Sequence, residues 1–149
     1  MKSGTRPVKG TRKMIANMTP VLQPGTYVFC TMLNTEDATA AATLALATFA
    51  EDEGMSLVLE KSEADRLGLS YGEKMRRITL MVYSSVSGVG LTAAVAGELA
   101  RHRIPANVVA ATQHDHVFVP KKHADRALDA LRVLQARARD GQDEFTDAD

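Results

Sequence analysis

The chain has 149 residues, 45% apolar and 24% charged, which is room for one ordinary domain or two very small ones and enough apolar content for a real core. Lys+Arg and Asp+Glu both number 18, a balance that does not favour a wholly basic nucleic-acid protein. Aromatics are scarce at 5%, the single Cys30 excludes an internal disulfide and a Cys-based zinc site, and no apolar run approaches the ~20 residues of a membrane span.

No apolar stretch follows the N-terminal lysines, so no secretory signal is expected and a cytoplasmic, reducing setting is. Residues 1–35 contain no Asp or Glu, whereas Asp140–Asp149 holds five carboxylates and no base. Both ends read as solvated, disordered tails: a basic arm over 1–17 and an acidic tail over 139–149. Between them, Tyr27–Met32 is β-rich and apolar on both faces, a strand covered on both sides or lying in a dimer. Ala40–Glu53 is dense in Ala and Leu and predicts a helix ended by Gly54. Ser56–Glu60 predicts a short strand, Ser62–Gly68 a short helix, and Arg77–Tyr83 an alternating strand.

Leu91–Arg103 predicts a helix with basic residues in its last turn and Pro105 beyond. Ala106–Ala111 and His116–Val119 predict two strands joined by a hairpin. Lys121–Arg139 carries Ala124, Ala127, Leu128, Leu131 and Leu134 at helical spacing. Leu57–Arg66 and Val117–Arg126 align at an offset of 60 residues, each an apolar strand running into a Lys-containing turn and an Ala-Asp-Arg helix start. The second half reads β-α-β-β-α, a ferredoxin-like unit lacking its last strand.

Several stretches resemble one family. Thr48–Leu59, Ile78–Ser85, Val89–Val95, Asn107–Ala110 and His114–Pro120 are similar, in this order, to the small bacterial proteins built from tandem ACT domains. The resemblance implies an α+β fold of two tandem ACT units, ferredoxin-like βαββαβ, with antiparallel sheets and helices on one face. It divides the chain into an abbreviated N-terminal unit at 18–72 and a C-terminal unit at 73–138. It also implies a regulatory module that binds a small molecule, an amino acid above all, and pairs side by side as a homodimer. No cofactor is expected, and the composition already speaks against a membrane span and against a nucleic-acid partner. The open sheet edge left by the missing strand is expected to be covered by the N-terminal unit or by a second chain.

Two polar clusters could carry binding. The loop Ser84-Ser85-Val86-Ser87-Gly88-Val89-Gly90 leads into the helix at Leu91, offering free N–H groups at a positive helix end, which suits a carboxylate; a merely well-capped loop explains the same residues. It lacks the GxxxxGK[ST] pattern of a P-loop. His114-Asp115-His116 could ligate a divalent metal if His123 folded back as a third ligand, or could simply form a tight hairpin turn. The family resemblance adds that ACT domains hold ligand at the first loop and that this hairpin borders it. Ser84, Ser85, Val86, Gly88, Val89, Gly90, Leu91, Asn107, Ala111, His114 and Asp115 are therefore the expected ligand contacts, with Asp115 receiving an ammonium. No catalytic or metal-binding residue is assigned. A His/Asp metal-dependent hydrolase is the competing enzyme reading, without HExxH or a nucleophile triad to support it. An RNA-binding ferredoxin-like domain would need paired exposed aromatics that these strands lack. Cys30, mid-strand without a flanking His or Lys, reads as an inert buried thiol.

Overall fold

The computed structural model describes residues 10–33, 35–82 and 90–141. In chain order the elements are α1 (Thr11–Asn17), β1 (Pro20–Leu22), β2 (Tyr27–Met32), α2 (Glu36–Ala42), β3 (Ala47–Glu51), β4 (Gly54–Glu60), α3 (Lys61–Arg66), β5 (Met75–Leu80), α4 (Leu91–Arg101), β6 (Asn107–Ala110), β7 (Asp115–Pro120), a 3-10 turn (Lys121–His123) and α5 (Ala124–Arg139). They form two compact units. One is continuous, Pro24–Arg76; the other is split, Met1–Gln23 with Arg77–Asp149, so the boundary falls inside β5.

In the continuous unit β3, β4 and β2 lie side by side, and Tyr27 pairs with Met75. The antiparallel register sets Val28 opposite Leu59 and Cys30 opposite Leu57. Those four side chains share a face and are buried with Ala41 of α2 and Ala64 of α3. Cys30 is buried in this core as expected, and burial pushes its thiol pKa up.

The Ala-rich stretch corrects the helix expected over 40–53. The helix stops at Ala42, where the Thr43 hydroxyl donates to Ala40 O at 2.7 Å. Ala47–Glu51 is instead a strand, each residue paired with β4. Helix propensity differs by tenths of a kcal/mol per residue, and a full ladder of backbone pairs outweighs it. Gly54 is no helix terminator. It opens β4 at φ 144°, and a Cβ there would lie 2.3 Å from Met32 O.

In the split unit the order is β1, β5, β7, β6. Pro20, Val21 and Leu22 pair antiparallel with Leu80, Thr79 and Ile78. The strand missing from the C-terminal half is thus supplied from near the N-terminus and covers the expected open edge. Ile78, Leu80, Val117 and Val119 turn toward α4 and α5, where Leu99, Leu131 and Leu134 are buried.

Residues 11–17 also depart from the expected disordered arm, for they form a helix. Met14 and Ile15 are buried in the core, which repays ordering the segment. Side chains of α5 and α1 exchange caps: Gln135 Nε2 and Arg139 Nε each donate to Ala16 O at 3.0 Å, and Arg12 Nε donates to Ala138 O at 3.1 Å. Sequence alone could not reveal this, because the partners lie over a hundred residues apart in the chain.

Candidate functional site

The site is built at one end of the split unit. β5 leaves the sheet at Leu80 and the chain re-enters described structure at Gly90, the N-cap of α4. Gly90 has φ 101°, and its carbonyl accepts from Ala94 N–H at 2.9 Å. A Cβ on Gly90 would stand 2.5 Å from Thr11 Oγ1, so the first residue of α1 rests directly on the cap. No acidic side chain occupies the first turn of α4, so the helix itself offers no charge to the positive end of its dipole. Leu91 is buried beneath it. Ser84, Ser85, Val86, Gly88 and Val89 lie outside the described residues.

β7 begins at the same end. Ala111 N–H donates to His114 O at 3.0 Å, closing the hairpin, and Ala110 pairs with Asp115. Thr79 Oγ1 lies 3.1 Å from His116 Nδ1, which sets the start of β7 beside the end of β5. Asp115 is only 7% exposed, and no hydrogen-bond donor among the described residues reaches its carboxylate. Burial pushes its pKa up, opposed by the neighbouring His114. His114 Nδ1 is likewise buried without a hydrogen-bond partner. Burial, with help from Arg77 and His114, lowers the pKa of His116.

Among the described residues neither the Asp115 carboxylate nor the buried His114 Nδ1 has a hydrogen-bond partner, and a bound cationic or hydrogen-bonding group would supply one. Of the expected contacts, the fold brings Gly90, Leu91, His114 and Asp115 to this end. Ala111 is exposed in the hairpin turn. Asn107 is set apart: it pairs with Phe118, three positions along the ladder from Asp115 and on the opposite face. His123 does not fold back toward His114; it lies beyond the far end of β7, with Nδ1 3.3 Å from Arg126 Nη1. Among the described residues no group of three metal-ligating side chains converges.

Two positions escaped the sequence reading. Thr11 carries no local signal, since its role is a contact with Gly90 far along the chain. Glu98, 3% exposed on α4, binds Arg101, Arg137 (2.7 Å) and His102 (3.3 Å). Burial pushes its pKa up, and the two guanidiniums more than offset this, holding the carboxyl below its ordinary value.

Comparisons with known proteins agree with this architecture. The ACT domain profile matches residues 8–76, and a second ACT domain profile matches 75–133. A Vibrio cholerae protein described as of unknown function and a possible transport protein is 43% identical, covering 82% of this chain and 93% of its own, with a TM-score of 0.73. An Agrobacterium tumefaciens protein is 17% identical, covering 78% of this chain and 87% of its own, at a TM-score of 0.64. The regulatory subunit of aspartate kinase from Thermus flavus is 11% identical over 87% of this chain and 99% of its own, at a TM-score of 0.54. At such identities the last two show the fold alone. No curated protein matched the sequence. With two α+β units, each a ferredoxin-like sheet under helices, and both matched by the same domain family, the chain belongs to the ACT-domain family as a tandem pair of ligand-binding regulatory modules.

Proposed function

We propose that the protein is a non-enzymatic, cytoplasmic regulatory module that binds a free amino acid at the Gly90–Asp115 end of its split unit and acts as a homodimer. The observation that carries this reading is Asp115, 7% exposed and without a hydrogen-bond donor to its carboxylate among the described residues, at the same end of the sheet as the N-terminus of α4, whose first turn holds no acid. An amino acid offers an ammonium to the first and a carboxylate to the second. Its side chain would then meet the Leu91 region and His114. Ser84, Ser85, Val86, Gly88 and Val89 complete the proposed contact set through the family resemblance.

A thermal-shift screen of the free protein against the twenty amino acids tests the reading, because a ligand that binds only the folded state raises the transition by mass action. Asp115→Ala should weaken any hit about ten- to a hundredfold by calorimetry, equivalent to roughly 1.5–3 kcal/mol for a charge-assisted contact. No amino-acid hit, or a hit whose affinity is unchanged in the folded variant, would remove this function from this site.

A further inference from the structure

Two charged surfaces are left unsatisfied by the fold. At the far end of the split unit, Arg126 Nη2 donates to His102 O at 2.9 Å and joins the end of α4 to the start of α5. Arg103 follows His102 directly, and Lys121 and Lys122 precede α5, so these cations form one exposed basic surface. None of Arg103, Lys121 and Lys122 has an ion pair or side-chain hydrogen bond among the described residues. The one buried acid nearby, Glu98, is taken by Arg101 and Arg137.

Local structure does not account for this charge. Lys121 and Lys122 stand at the positive end of the α5 dipole, where cations are disfavoured, and only Asp125 offsets them in the first turn. Arg103 holds φ 56°, the left-handed position after a helix that glycine fills at least cost. On the continuous unit, the opposite charge is stranded in the same way. Glu51, Asp52 and Glu53 are exposed at the tip of the β3–β4 hairpin, and Asp52 and Glu53 have no cationic partner among the described residues. Three adjacent carboxylates on a tight turn repel one another.

We propose that the acidic β3–β4 tip of one copy docks on the basic α4–α5 end of a second copy, and that two such contacts related by a two-fold axis close the homodimer. The charges are complementary in sign and similar in number, and each surface is free within its own unit. This rests on the dimeric part of the function proposed above and is independent of its ligand.

Sedimentation of the full chain without added ligand tests it. The wild-type dimer should weaken by about tenfold or more as salt rises from about 50 to about 500 mM, because exposed charges are screened over a shorter distance. Lys121→Glu with Lys122→Glu should sediment as a monomer, and so should Asp52→Lys with Glu53→Lys. Mixed in equal amounts, the two variants should dimerise again, since each then presents the charge that the other needs at both contacts. A wild-type monomer at micromolar concentration overturns both the dimer and the interface. A dimer that ignores salt and persists in both variants, or variants that fail to recover on mixing, overturns the interface alone. Amino-acid binding by any of these proteins bears only on the ligand site.

Discussion

Placed on the 60-residue repeat, Asp115 and His114 of the split unit fall opposite Met55 and Gly54 of the continuous unit. The packing positions of the two copies agree. Leu57 and Val117, Leu59 and Val119, and Ala64 and Ala124 are all buried. What differs is the polar end. β7 opens with an imidazole and a carboxylate, whereas β4 opens with a glycine pressed against Met32 O, followed by a thioether. The helices differ as well. Those of the continuous unit have seven and six residues, against eleven and sixteen for α4 and α5. The repeat shares its buried scaffold between the two halves. The polar chemistry and the heavier helical cover belong to the split unit.

Substitutions at matched positions can break that comparison. Leu134→Ala and Leu57→Ala each remove a side chain with 0% exposure. Leu134 belongs to the larger core cluster, and Leu134→Ala should lose about 2–5 kcal/mol by urea denaturation; Leu57 belongs to the smaller cluster, whose site can partly collapse, and Leu57→Ala should fall at the lower end. Equal losses would mean that the two units are equally well packed. Gly90→Ala should cost about 1–3 kcal/mol through its left-handed backbone, with the Thr11 contact adding to it. Thr11→Ala in that background should recover part of the loss, since Oγ1 and Cγ2 are the nearest atoms. Absence of recovery would show that backbone strain, not α1, sets the cost.

Much of the scaffold was legible in the sequence, and its failures have physical causes. Tyr27–Met32 and the hairpin before Lys121 were readable because short runs of β-favouring apolar residues are a local signal. The helix of α5 followed from Leu128, Leu131 and Leu134 at helical spacing. Ala47–Glu51 misled because its alanines favour helix while its backbone is held by β4, a neighbour that propensity does not see. The role of β1 was legible only as a need: a sheet edge lacking a strand. Pro20–Leu22 is too short to announce itself, and its pairing with β5 joins segments far apart in the chain. In the candidate site, Asp115 and Gly90 stood out as chemistry in a turn and a cap. Asn107 did not join them, because strand pairing set it three positions away on the other face.

The sharpest test sets two buried carboxylates of the split unit against each other. Glu98 has a folded pKa held down by Arg101 and Arg137. Its contribution is present above the unfolded carboxyl value and is lost as pH falls through the folded one. Asp115 has a folded pKa raised by burial, so the sign reverses. Its favourable contribution is present below the unfolded value and is lost as pH rises through the folded one, leaving at neutral pH a charge without a hydrogen bond from the described residues. Asp115→Asn should therefore stabilise the ligand-free protein at pH 7, by about 1 kcal/mol on the scale of a buried polar group without a partner. That gain should vanish near about pH 3, where the wild-type carboxyl is protonated too. Glu98→Gln should do the reverse, costing stability at pH 7 and flattening the acid side of the profile. The gain at pH 7 is the informative result, because a residue kept for the fold would lose stability when neutralised, while one kept for a ligand's ammonium should gain it and lose the ligand. A ligand-free Asp115→Asn protein no more stable than wild type at pH 7 would show that water already satisfies the carboxylate and would remove the strain on which its recognition role depends.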